Sequence, residues 1–103
     1  MTFETFKYNV TRWAEERKIY SEGTVKGQIL KLKEEAKEVE DAYHGSYDNF
    51  MLEIGDCYVT LHNLCKISGL EPEDCMRKAW NKIKERKGEM RNGTFVKEED
   101  LNK

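Results

Sequence analysis

The stretch KEEAKEVEDAYHGSYDNFMLEIGDCY, residues 33–58, decides how the chain is read. It describes two amphipathic helices joined by a short turn. Before the turn, Val25, Ile29, Leu32, Ala36, Val39 and Tyr43 recur at intervals of four and three, the period of a single buried helix face. After it, Phe50, Ile54, Cys57, Tyr58, Leu61, Leu64 and Cys65 do the same. Between them, HGSYD offers Gly45 for positive φ and Ser46 as an N-cap. Helices are therefore expected over about 25–43, with Thr24 as N-cap, and over about 47–67.

Outward from this hairpin the same period continues. Phe3, Phe6, Val10, Trp13 and Ala14 predict a helix over about 2–18, which YSEGT ends. After SGLEP, with Gly69 near one helix end and Pro72 opening the next, Met76, Ala79, Trp80 and Ile83 mark a fourth helix over about 72–87. The remaining residues, 88–103, form either a frayed tail or a short hairpin turning at Asn92-Gly93. The expectation is an all-α fold: one domain over residues 1–103, a four-helix antiparallel bundle-like subunit with a short C-terminal tail or hairpin. Leu52 and Val59, with Gly55 between them, add a second apolar side to the 47–67 helix, and a helix apolar on two sides is covered on two sides. In so short a chain that cover points to a second subunit.

The net charge of −2 argues against general nucleic-acid binding, but the charges are segregated. Residues 34–56 hold eight acids and one lysine, whereas residues 77–91 hold seven basic residues and two acids. No apolar run approaches the length that spans a bilayer, and no segment resembles a signal peptide, so a cytoplasmic protein is expected. Three cysteines without C-x-x-C spacing read as small buried thiols, not as disulfides or zinc ligands.

The acids are placed with more order than solubility requires. At about 100° per residue, Glu35 and Glu38 lie to one side of their helix's apolar stripe, and Glu53 and Asp56 lie to the same-sense side of theirs. Glu34 falls nearly opposite the stripe. The approximate twofold axis of an antiparallel hairpin carries one flank onto the other, so both pairs emerge on the same side of the seam. Each pair is also about 13 Å of helix from the turn. One E-x-x-E on a helix commonly marks a solvated face; two such pairs in register predict a cation site. Oxygen ligands alone select a hard ion, Mg²⁺ with Mn²⁺ or Ca²⁺ as substitutes. The E-x-x-H pattern of di-iron bundles is absent.

These residues carry a family resemblance. Glu34, Glu35 and Glu38 as E-E-x-x-E, then Glu53 and Asp56 as E-x-x-D, resemble the MazG-like branch of the all-alpha nucleoside triphosphate pyrophosphohydrolases. The first helix with Trp13 and the ending MRKAWNKIKERKGEMRNGTFVKEED resemble small stand-alone members as well. The resemblance implies Mg²⁺-dependent cleavage of a nucleoside triphosphate to monophosphate and pyrophosphate, in nucleotide-pool house-cleaning. It implies Glu35, Glu38, Glu53 and Asp56 as metal ligands, with Glu34 as the motif's first acid. Lys78, Asn81 and Lys84 match the family's K-x-x-N-x-x-K helix and would hold substrate phosphates or sugar. It further implies a homo-oligomer, a dimer or tetramer. Trp13, Tyr58 and Trp80 could stack on a base, but each also sits at core spacing, and core is the expectation for all three. The alternative function is a catalytically idle nucleotide-binding or regulatory helical module.

Overall fold

A computed structural model describes residues 1–102. The chain is mostly helical, with one two-stranded sheet. Among the described residues no helix is long and apolar enough to cross a membrane. The chain divides into two compact units, Met1–Pro72 and the residues from Glu73 onward.

In the first unit, α1 spans Phe3–Glu16, α2 Ile19–Glu22, α3 Val25–Ala42 and α4 Tyr47–Ile67. Each of the three long helices begins on a side-chain oxygen that satisfies an otherwise orphaned amide. Thr2 caps α1 through the Thr5 N–H, Thr24 caps α3 through Gly27, and Ser46 caps α4 through Asn49, at 3.0, 2.9 and 3.1 Å. The α3 and α4 helices, joined by residues 43–46, form the hairpin with the most extensive helix–helix contact, and α1 and α2 pack against α4. The turn differs from expectation: Gly45 is not among the positive-φ residues, and the chain reverses with ordinary backbone angles.

YSEGT, residues 20–24, reads as a break, but residues 19–22 form the short helix α2. Lys18 enters the left-handed region at φ 61°, so α1 ends at Glu16 and the next turn is redirected. The new direction brings the Tyr20 hydroxyl to Asn63 Oδ1 on α4, 2.7 Å away. Gly23 closes α2 so tightly that a Cβ there would stand 2.3 Å from the Ile19 carbonyl oxygen.

Burial falls well short of the expected core. Among the described residues, the hydrophobic side chains in the most buried class are Ala14 and Ala42 alone. Phe3, Val25, Ile29, Tyr43, Ile54 and Leu61 stay exposed although they lie on the expected inward stripes. Thr60, His62 and Asn63, all polar, are the buried residues of α4. His62 Nε2 shares a 2.7 Å hydrogen bond with the Thr11 hydroxyl, which itself donates to the Lys7 carbonyl.

In the second unit, α5 spans Pro72–Ile83, four residues shorter than expected, and is followed by β1 Gly88–Arg91 and β2 Thr94–Lys97. The strands pair antiparallel with Met90 opposite Phe95. Asn92 and Gly93 both take positive φ, 51° and 87°, as a two-residue hairpin turn demands. The tail is therefore a hairpin. A short 3₁₀ turn, Glu98–Asp100, follows it.

Candidate metal centre

Glu35 and Glu38 stand three residues apart on α3 and so share a helix side; Glu53 projects from α4 across the seam. Their carboxylate oxygens lie within 4.8 Å of one another. Glu35 is only 5% exposed, Glu53 is half-buried and Glu38 is exposed. Lys31, one turn before Glu35, places Nζ 3.1 Å from its Oε1. The other oxygen, Oε2, is buried without a hydrogen-bond partner, and so is Oε2 of Glu53.

Like charges at this range repel by kilocalories, and a buried carboxylate oxygen without a partner is costly. The strain shows in proton affinity. The charge of Glu35 raises the Glu38 carboxyl above the ordinary carboxylate range, with desolvation and contact with Glu53 acting in the same sense. Burial raises the Cys57 thiol, and the charges of Glu35, Asp56, Glu53 and Glu38 add to that rise. The three cysteines, each half-buried, form no disulfide.

Asp56 departs from expectation, because it is not a member of the three-carboxylate cluster. Three residues beyond Glu53, it is rotated about 60° around α4. The same step separates Glu35 from Glu38, so what sets Asp56 apart is its neighbour: it lines a groove with Asn9, Val10 and Trp13 of α1 and with Val59. Its backbone carbonyl accepts the Thr60 hydroxyl at 3.0 Å. Glu34 also stays outside the cluster, on an exposed face, 3.9 Å from Lys31 Nζ.

Glu35 and Asp56 meet again on the wall of a cavity of about 570 Å³, within the usual range of small-ligand sites. On α4 its lining repeats as Asp56, Val59, Thr60 and Asn63; on α3 it repeats as Thr24, Gln28, Lys31 and Glu35. Both series keep to a single helix face. Trp13 closes a side. The expectation of a core Trp13 is corrected: the residue is 44% exposed, with the Arg17 guanidinium 4.6 Å from the ring centre. Tyr58 and Trp80, also expected in the core, are exposed too.

Lys78 and Asn81 lie on α5 of the second unit, and Lys84 follows just past its end, with Nζ donating to Asn81 Oδ1 at 3.3 Å. All three are exposed. The sequence reading missed Lys31, Tyr20 and Asn63. Lys31 was findable as the i−4 partner of Glu35, and Asn63 as the residue two turns from Asp56 on its own face. No protein-family model, curated protein or solved structure matches the chain.

Proposed function

We propose that the chain is a Mg²⁺-dependent nucleoside triphosphate pyrophosphohydrolase of the MazG-like kind, releasing nucleoside monophosphate and pyrophosphate. The observation that carries this reading is the pair of buried, unpartnered oxygens on Glu35 and Glu53, with a third carboxylate close by. A hard divalent cation is the group whose chemistry fits three such oxygens. Glu35, Glu38 and Glu53 would hold it, and Mn²⁺ would substitute. When bound, it supplies charge neutralisation to the triphosphate.

The chain's own residues supply the rest. The cavity beside the cluster takes the nucleoside, with the exposed ring of Trp13 as a stacking wall for the base. Asp56, on the same wall as Glu35, would take the proton of the water that attacks the α-phosphorus as pyrophosphate leaves. Lys78, Asn81 and Lys84 keep the K-x-x-N-x-x-K spacing that the resemblance assigns to phosphate or sugar binding.

The same reading makes the active form a homo-oligomer in the cytoplasm, with the four-helix bundle completed in the assembly. Its support is the uncovered apolar side of the first unit: Leu52 is 59% exposed, and a Cβ on Gly55 would meet nothing within 4 Å. The test is a panel of nucleoside triphosphates incubated with Mg²⁺ and scored for monophosphate and pyrophosphate. At least one should be cleaved by the native chain, and none by Glu53→Gln. A panel left wholly intact, or full turnover by Glu53→Gln, would overturn the proposal.

A further inference from the structure

The cavity has two chemically different ends. Asp56 and Asn63 share one face of α4 two turns apart, about 10 Å along the helix axis. That separation suits a nucleotide whose phosphates lie at the carboxylates and whose base lies at the amide. Asn63 is 4% exposed, yet it lines the cavity.

Its orientation is set from behind. The Tyr20 hydroxyl donates to Asn63 Oδ1 at 2.7 Å, so the carbonyl of the amide is already engaged. Beside this pair, Thr11 is tied to His62 Nε2 at 2.7 Å and donates to the Lys7 carbonyl at 2.8 Å. Turning the amide over would take this acceptor away from the Tyr20 hydroxyl. What Asn63 has left to offer a ligand is its NH₂ group, a donor.

We infer that Asn63 reads the nucleobase: Nδ2 donates to a base carbonyl oxygen and so selects a keto edge over an amino edge, with Tyr20 as the positioning residue. An amino group brought to the same place sets donor against donor and leaves both unpaired, which a buried site penalises. The substrate class is therefore nucleotides with a 4-keto pyrimidine or a 6-keto purine. The inference rests on the nucleotide reading above and deepens it.

Uridine and cytidine nucleotides make the test, since they differ on that edge. The ratio of kcat/KM for UTP over CTP should be about 10- to 100-fold in the native chain. In Asn63→Asp the carboxylate still accepts from Tyr20 but offers the cavity an acceptor, and the ratio should fall to one or below. In Tyr20→Phe the amide is released, and the ratio should move toward one. A ratio taken within one protein is blind to partial unfolding, which lowers both numerators alike. Should Asn63→Asp fail to fold, the native ratio and Tyr20→Phe decide the matter. The same comparison by calorimetry with UMP and CMP needs no cleavage. Preferential UMP binding without hydrolysis of any triphosphate would sink the enzymatic reading and support this one. A native ratio near one, a ratio unmoved by both substitutions, or no binding of either monophosphate would overturn it.

Discussion

Lys31 Nζ stands 3.1 Å from Oε1 of Glu35, one helical turn away on α3, and so gives the buried carboxylate of the cluster a positive partner. Lys31 is half exposed, and its proton is held more tightly than usual by the hydrogen bond to Glu35 and by that residue's charge. It serves as counter-charge on one oxygen and leaves the other, Oε2, buried without a hydrogen-bond partner.

Lys31→Met keeps the aliphatic stem and removes the charge. Without divalent cations the variant should lose about 1 kcal/mol of stability, the lower end for a buried group deprived of a partner, because solvent screens the exposed lysine. Saturating Mg²⁺ should recover most of the loss. Urea unfolding with EDTA and with Mg²⁺ measures both, and an equal deficit in the two conditions would contradict the assignment.

Glu38→Gln removes one like charge. Neighbouring charges raise the folded-state pKa of Glu38, so its stabilising share is present below the ordinary carboxylate range and lost as pH rises through the raised value. At neutral pH without cation, Glu38→Gln should therefore melt higher than the native chain. It should also bind Mg²⁺ at least about 100-fold more weakly, as loss of a ligand requires. In the native chain Mg²⁺ affinity should climb with pH as that proton leaves. Thermal melts and metal titrations across pH check all three.

Much of the first unit was legible because its signals are local. Helix α3 follows from its four-three spacing and Thr24; in the second unit Asn92-Gly93 offered a hairpin beside a frayed tail, and the hairpin's backbone angles need no distant contact. The α2 helix was not legible, since Lys18 adopts a left-handed angle that accompanies a tertiary bond, Tyr20 to Asn63. The convergence of Glu35, Glu38 and Glu53 was readable from helical angles and the symmetry of a hairpin. Asp56 escaped the same reasoning because it lines a groove with α1, whose position no periodicity encodes. Trp13 and Ile29 repeat at core spacing but lack cover within the chain, and a periodic pattern cannot say which molecule provides the cover.

His62 gives a pH signature independent of the carboxylates. Burial lowers its pKa, the charges of Lys66 and Lys7 lower it further, and Glu71 opposes them weakly. The unfolded chain, with the ordinary value near 6.5, therefore binds the proton more readily. The stability tied to neutral His62 is complete above that value and falls with pH below it, by at most about 1.4 kcal/mol per pH unit. His62→Gln should flatten the slope between neutral pH and the carboxylate range in urea unfolding. An unchanged slope would place the titration elsewhere.

Leu52→Glu tests the assembly. The side chain is exposed in the single chain, so the substitution should cost a subunit less than about 0.5 kcal/mol while splitting the oligomer. Light scattering after size exclusion should show the native chain as a dimer or tetramer and the variant shifted to monomer. A native monomer would remove the need for any partner on this face.

The most direct test is a Mn²⁺ titration followed by electron paramagnetic resonance on the native chain and on Glu35→Gln, with circular dichroism to confirm retained helix. The expected result is saturable binding by the native chain, competed by Mg²⁺, and its loss in Glu35→Gln. Equal binding by both proteins, or none by the native chain, would contradict the proposal that the facing acids of α3 and α4 hold a divalent cation.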